Sequence, residues 1–206
     1  IIKNDNYEDR KEEIFFSGSL NLKFRRRYDI LNLILKNEIS LELRLRDLNE
    51  ELIFFKKINL FIKKNFPSFH QSLIEKKILP LKNRFKKVNK KELYGIDMMK
   101  KIKDFKFCIN IHSDFDIDNA INLRVFEAMS QGSLLFSDKN RFMEKYFLDK
   151  KHVIYFLDEK DLLDKIQYYK KNIMLAKKIA SDASKEIYKN HTCEKRFEEF
   201  LELIKN

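Results

Sequence analysis

Short apolar runs alternate with amphipathic stretches along this chain. Ile14-Phe15-Phe16 breaks at Ser17-Gly18-Ser19, and Arg25 to Leu35 follows with Tyr28, Leu31, Ile34 and Leu35 on one face, a pattern that predicts strand, glycine turn and helix. Leu41 to Leu45 alternates leucine with charge, as a strand with one wetter face does, and Asp47 to Asn49 supplies the next turn. Leu52 to Phe61 and the stretch punctuated by Pro67 and Pro80 predict a helix, an irregular connection and a basic linker.

From Tyr94 the pattern sharpens. Gly95 precedes a short helix carrying Met98, Met99 and Ile102, and Phe105 to Ile111 is a largely apolar run, broken only by Lys106 and Asn110, that suits a central parallel strand. Asn122 to Gln131 is helical in composition and closes on Gly132 at a C′ position. Leu134-Leu135-Phe136 and Val153 to Phe156 predict two more strands, and Met143 to Phe147 a short helix. Asp161 to Tyr169, Ile173 to Tyr188 and Glu194 to Ile204 predict the closing helices. Strands alternating with helices make this an α/β chain, with a Rossmann-like parallel sheet covered by helices.

Composition narrows the picture. A chain of 206 residues that is 44% hydrophobic builds one substantial core. The first residue is Ile and the opening IIKNDNYEDRKEE is polar, so we expect a fragment whose natural start is missing. No apolar run approaches the roughly 20 residues of a membrane-spanning helix. Cys108 and Cys193 stand far apart without CxxC spacing, which suggests neither a disulfide framework nor a metal site and fits a reducing cytoplasm. The net charge of +11 is concentrated between Lys56 and Lys106, where 16 Lys or Arg face 4 Asp or Glu. Such a stretch attracts nucleic acid, anionic lipid or phosphorylated ligands, or is simply a lysine-rich solvated surface. Residues 56–91 are therefore expected to form a basic insertion or linker within a single domain.

Candidate chemistry centres on Asn119 to Gly132. Arg124, Glu127 and Gln131 share one helical face while Phe126 and Met129 can face the core. Arg124 falls in the first turn, where the macrodipole disfavours a cation unless an anion is bound. The Glu127 carboxylate suits a vicinal diol such as ribose. The plain alternative is a surface ion pair worth roughly 0.2–0.5 kcal/mol. Gly18 lies where a first strand must turn into a first helix, either a ligand-facing turn or an ordinary tight one. Lone histidines are usually structural, and His70, His112, His152 and His191 lack metal spacing. Asp114, Asp116 and Asp118 lack the glycine and closing glutamate of a calcium loop.

The run Asn122-Leu-Arg-Val-Phe-Glu-Ala-Met-Ser-Gln-Gly-Ser-Leu-Leu-Phe-Ser-Asp138 resembles the signature segment of GT-B glycosyltransferases, especially the spore-maturation glycosyltransferase-like branch. Ile14-Phe-Phe-Ser-Gly-Ser-Leu with Arg26 and Arg27, Tyr94-Gly95, the strand Phe107 to His112 and the tail Asn190 to Arg196 resemble further parts of that family's C-terminal domain. The resemblance implies transfer of a sugar from a nucleoside-diphosphate donor, with no other cofactor and no metal. Glu127 would bind the ribose, Arg124 and the turn at Gly18 and Ser19 would lie near the diphosphate, Asn122 would sit at the same helix end, and His112 and Ser113 would line the cleft. It assigns no catalytic base here and implies a glycan or lipid-linked acceptor held mainly by an N-terminal domain. It also suggests a retaining outcome, and polysaccharide synthesis in the cytoplasm or at the inner membrane face. Many relatives carry a second glutamate where Asn119 stands, so the two-carboxylate version of the site is absent. Two other readings stay open: a non-catalytic Rossmann-like module that binds nucleic acid or an anionic membrane through its basic segment, and a degenerate transferase that binds donor without turnover.

Overall fold

The computed structural model describes residues 6–19, 25–46, 60–69, 79–112 and 121–205. Five strands, β1 (Lys11–Ser19), β2 (Leu41–Arg46), β3 (Phe105–Asn110), β4 (Leu134–Asp138) and β5 (Ile154–Phe156), form one sheet in the order β2-β1-β3-β4-β5. The pairings of β1 with β3, β3 with β4 and β4 with β5 are parallel. With helices as crossovers, this is the Rossmann-like α/β architecture the alternating pattern predicts. The chain divides into two compact units, Ile1–Phe15 with Tyr94–Asn206, and Phe16–Leu93, so that β1 supplies strand to each.

In the larger unit every residue of β3 and β4 is buried. That explains why these strands read as continuous apolar runs, since parallel strands are covered on both faces. The helices are α3 (Gly95–Ile102), α4 (Leu123–Ser130), α5 (Arg141–Glu144), α6 (Glu159–Lys171), α7 (Ile173–Asn190) and α8 (Cys193–Lys205). The helix α4 buries Val125, Ala128 and Met129 and packs on α7, whose inward face of Ala176, Ala180 and Ala183 allows close approach. Its end is a Schellman motif: Gly132 N–H donates to the Met129 carbonyl at 3.0 Å and Ser133 N–H to the Ala128 carbonyl at 3.2 Å, with Gly132 at φ +68. Arg10 Nη1 covers the remaining carbonyls of Gln131 and Gly132, at 2.9 Å each. The helix α5 starts earlier than the expected Met143, because Asn140 Oδ1 accepts from Met143 N–H at 2.8 Å and caps it.

The smaller unit contains α1 (Arg25–Lys36) and α2 (Leu79–Val88). Tyr28, Ile30, Leu31 and Ile34 form the buried face of α1. Within the stretch expected as a basic insertion or linker, residues 60–65, Pro67–Phe69 and α2 are helical. Phe85 of α2 is fully buried with its ring 5.6 Å from that of Tyr28, and Arg84 donates to Asn32 Oδ1 at 2.5 Å. A charge-rich segment thus holds a core anchor, which lysine bias hid. The wetter face expected of β2 is also altered, since Glu42 is buried and pairs with Arg44 at 2.6 Å.

Ser17-Gly18-Ser19 does not form the expected turn. These residues continue β1 and do not break it. Gly18 is not at positive φ; a Cβ there would stand 3.2 Å from Phe16 Cζ, so glycine serves close packing here and not a reversal of the chain. The expected turn at 47–49 and the acidic loop Asp114 to Asp118 lie outside the described residues.

Candidate functional site at the carboxyl ends of β3 and β4

Two apolar strands of the larger unit each end on polar residues, and the amino end of α4 meets them there. Open α/β sheets bind ligands outside the carboxyl ends of their strands. Asn122 is the N-cap of α4, in extended conformation, yet its side chain does not cap the helix. Its Nδ2 donates instead to Asn110 Oδ1 at 2.7 Å, and its Oδ1 is buried without a hydrogen-bond partner. Asn110, 3% exposed at the end of β3, donates through Nδ2 to Ser137 Oγ at 3.1 Å.

His112, just beyond β3, and Asp138, the last residue of β4, meet in the interior of this region. Their side chains are 3% and 0% exposed, and His112 Nδ1 lies 2.6 Å from Asp138 Oδ1. The main-chain N–H of His112 also donates to both Asp138 oxygens, at 3.1 Å each. A carboxylate only accepts, so Nδ1 carries the proton of this contact. The Asn110 amide lies over this ring, its Nδ2 3.4 Å from Nδ1 and 3.5 Å from Nε2.

Arg124 and Glu127 stand on the first two turns of α4 and form an i, i+3 ion pair through Nη1 and Oε2, with side chains 28% and 13% exposed. Burial pushes the Glu127 carboxyl above its ordinary range, and the Arg124 guanidinium pulls it partly back. A desolvated carboxylate beside one cation is a ready acceptor for hydroxyl donors, and the cation beside it can be taken over by an anion. The sequence places Arg124 and Glu127 on one face, and the structure pairs them on the helix that Asn122 begins.

The other expected positions fare differently. Gly18 and Ser19 belong to the smaller unit, where Ser19 accepts from Arg27 Nη1 at 2.7 Å. Ser113 and Asn119 lie outside the described residues. Among the described residues, no group of three His, Cys, Asp or Glu is placed to hold a metal ion, and no helix is long and apolar enough to cross a membrane. Sequence reasoning missed Asp138 and Asn110 as site residues. The usable signal was that each apolar strand run, Phe105 to Ile111 and Leu134 to Asp138, carries a polar side chain at its carboxyl end.

Solved glycosyltransferase structures share this fold at low identity. TarM of S. aureus matches at TM-score 0.60 and 16% identity, over 100% of this chain and 38% of TarM. Anabaena HepE in complex with UDP matches at TM-score 0.65 and 12% identity, over 97% of this chain and 50% of HepE. The C-terminal domain of a glycosyl transferase group 1 family protein, LpcC from Francisella tularensis, matches at TM-score 0.54 and 11% identity, over 87% of this chain and 85% of that domain. The chain therefore spans half or less of TarM and HepE, but most of an isolated C-terminal domain. No curated relative matches it at the sequence level. The family model described as glycosyl transferase-like does match, over residues 66–202, a span that holds β3, β4, α4 and every residue of the site above; the chain belongs to the glycosyl transferase-like family.

Proposed function

We propose that this chain is the donor-binding half of a glycosyltransferase, holding a nucleoside-diphosphate sugar at the carboxyl ends of β3 and β4. The observation that carries the reading is the half-buried Arg124–Glu127 pair at the start of α4. When donor binds, the ribose hydroxyls donate to Glu127 and the diphosphate draws Arg124 away, so one ion pair becomes two ligand contacts. The amino end of α4, which the Asn122 side chain does not cap, adds to the field that stabilises charge on the departing diphosphate. This assigns leaving-group stabilisation to the chain and leaves the catalytic base unassigned.

Neighbours crystallised with UDP make uridine the first base to test. Spore-maturation kinship, an envelope polysaccharide acceptor and a peripheral membrane site are finer parts of the same proposal, and they rest on motif resemblance and charge alone. Calorimetric titration of the complete protein with UDP-, GDP-, ADP- and CMP-sugars, paired with a turnover assay, tests it. One donor class is expected to bind, and Glu127→Ala and Arg124→Ala are each expected to weaken it by about tenfold or more, the cost of a charge-assisted hydrogen bond. Unchanged affinity in both variants removes the assignment.

A further inference from the structure

Asp138 has no place in the donor contacts proposed above, although it is fully buried and makes three contacts to one residue. We propose that Asp138 is a positioning residue for the transfer reaction, acting through His112 on the amino end of α4; the proposal rests on the donor-site reading. The path is a chain of polar side chains. Asp138 fixes the His112 main chain by its N–H and the ring by Nδ1–H. That ring lies against the Asn110 amide, and Asn110 Oδ1 receives Asn122, the residue that begins the helix carrying Arg124 and Glu127.

Each link is needed for the next. A ring released from Asp138 can flip or swing away from the Asn110 amide that lies over it. The Asn110 amide would then turn, and Asn122 would lose the acceptor that keeps its side chain off its own helix. A side-chain amide from Asn122 is a common N-cap and would compete for the first-turn N–H groups of α4. In the observed arrangement the buried carboxylate prevents this from 0% exposure, without touching a ligand itself.

The experiment uses the complete protein, selectively ¹⁵N-labelled at histidine, with UDP as the probe. The wild type is expected to show His112 protonated at Nδ1, and Asp138→Ala a mixture of tautomers. Asp138→Ala and His112→Ala are each expected to weaken UDP binding about ten- to hundredfold, with the double variant no weaker than either single. Asp138→Asn keeps an acceptor for Nδ1–H and should recover most of the affinity. Ile166→Ala, a buried control that lowers the melting temperature away from the site, should bind UDP like the wild type. A wild-type His112 unprotonated at Nδ1, or losses that multiply in the double variant, would overturn the proposal. Loss of UDP binding in Glu127→Ala but not in Asp138→Ala overturns the proposal alone. Unchanged binding in Glu127→Ala overturns the donor reading with it.

Discussion

Glu127 holds its carboxyl in a setting that disfavours the charge. Its carboxyl is raised by burial, so between the ordinary carboxyl value of about 4.3 and its raised folded value the native state binds more protons than the unfolded chain. Stability from this group is thus present below the ordinary range and is lost as pH rises through the folded value. Glu127→Gln removes the desolvated charge, so its melting temperature relative to wild type should climb between pH 4 and pH 7 while UDP affinity falls. A gap that stays flat with pH would show that the carboxyl is not strained. Gly132 is the other residue whose identity is set by physics, at φ +68 in the Schellman turn. A Cβ there has room, its nearest neighbour being Arg10 Nη2 at 3.7 Å, so the penalty of Gly132→Ala is backbone strain alone. Urea unfolding should find it about 1–2 kcal/mol less stable.

At the scale of elements, the joint between α7 and α8 holds a histidine whose surroundings disfavour its charged form. His191 lies among the rings of Phe126, Phe147 and Tyr146, at 5.8, 5.0 and 5.7 Å, and Arg196 donates to its Nδ1 at 2.7 Å. Burial, then the Arg196 charge, lower the imidazole below its ordinary value, and Glu186 and Glu199 oppose them. The nearby His152 is lowered as well, again by burial. A depressed histidine contributes stability that is complete above the unfolded value near 6.5 and fades as pH falls through that value towards the folded one. The urea midpoint should therefore drop between pH 7 and pH 5, and drop less in His191→Gln, which retains an acceptor for Arg196. Equal drops in the two proteins would remove His191 as the cause. Phe126 belongs to α4, so this joint also braces the helix that bears Arg124 and Glu127.

For the molecule as a whole, the question is what the basic stretch contributes. Phe85, one of the aromatics interleaved with its lysines, is buried in the smaller unit and unavailable for stacking on bases, whereas Phe61 and Phe66 are more than half exposed. Lys86 and Lys87 close α2 on its exposed side, where cations suit a helix C-terminus. Neutralising both to Gln should leave calorimetric UDP affinity within about twofold, the small effect expected of screened surface charge. A large loss would tie this helix to the donor. The sequence by itself determined the alternating α/β architecture, the fully buried central strands and the pairing of Arg124 with Glu127, because these follow from periodicities of two and 3.6 and from local spacing. Gly132 as a helix stop was legible for the same reason. Only the tertiary structure decided that Gly18 continues a strand, that Phe85 makes a charged segment part of a core, and that Asp138 and Asn110 join His112 and Asn122 in one polar chain. Those outcomes depend on which strand ends lie side by side, and residues 26 positions apart such as His112 and Asp138 meet only through the parallel register of β3 against β4.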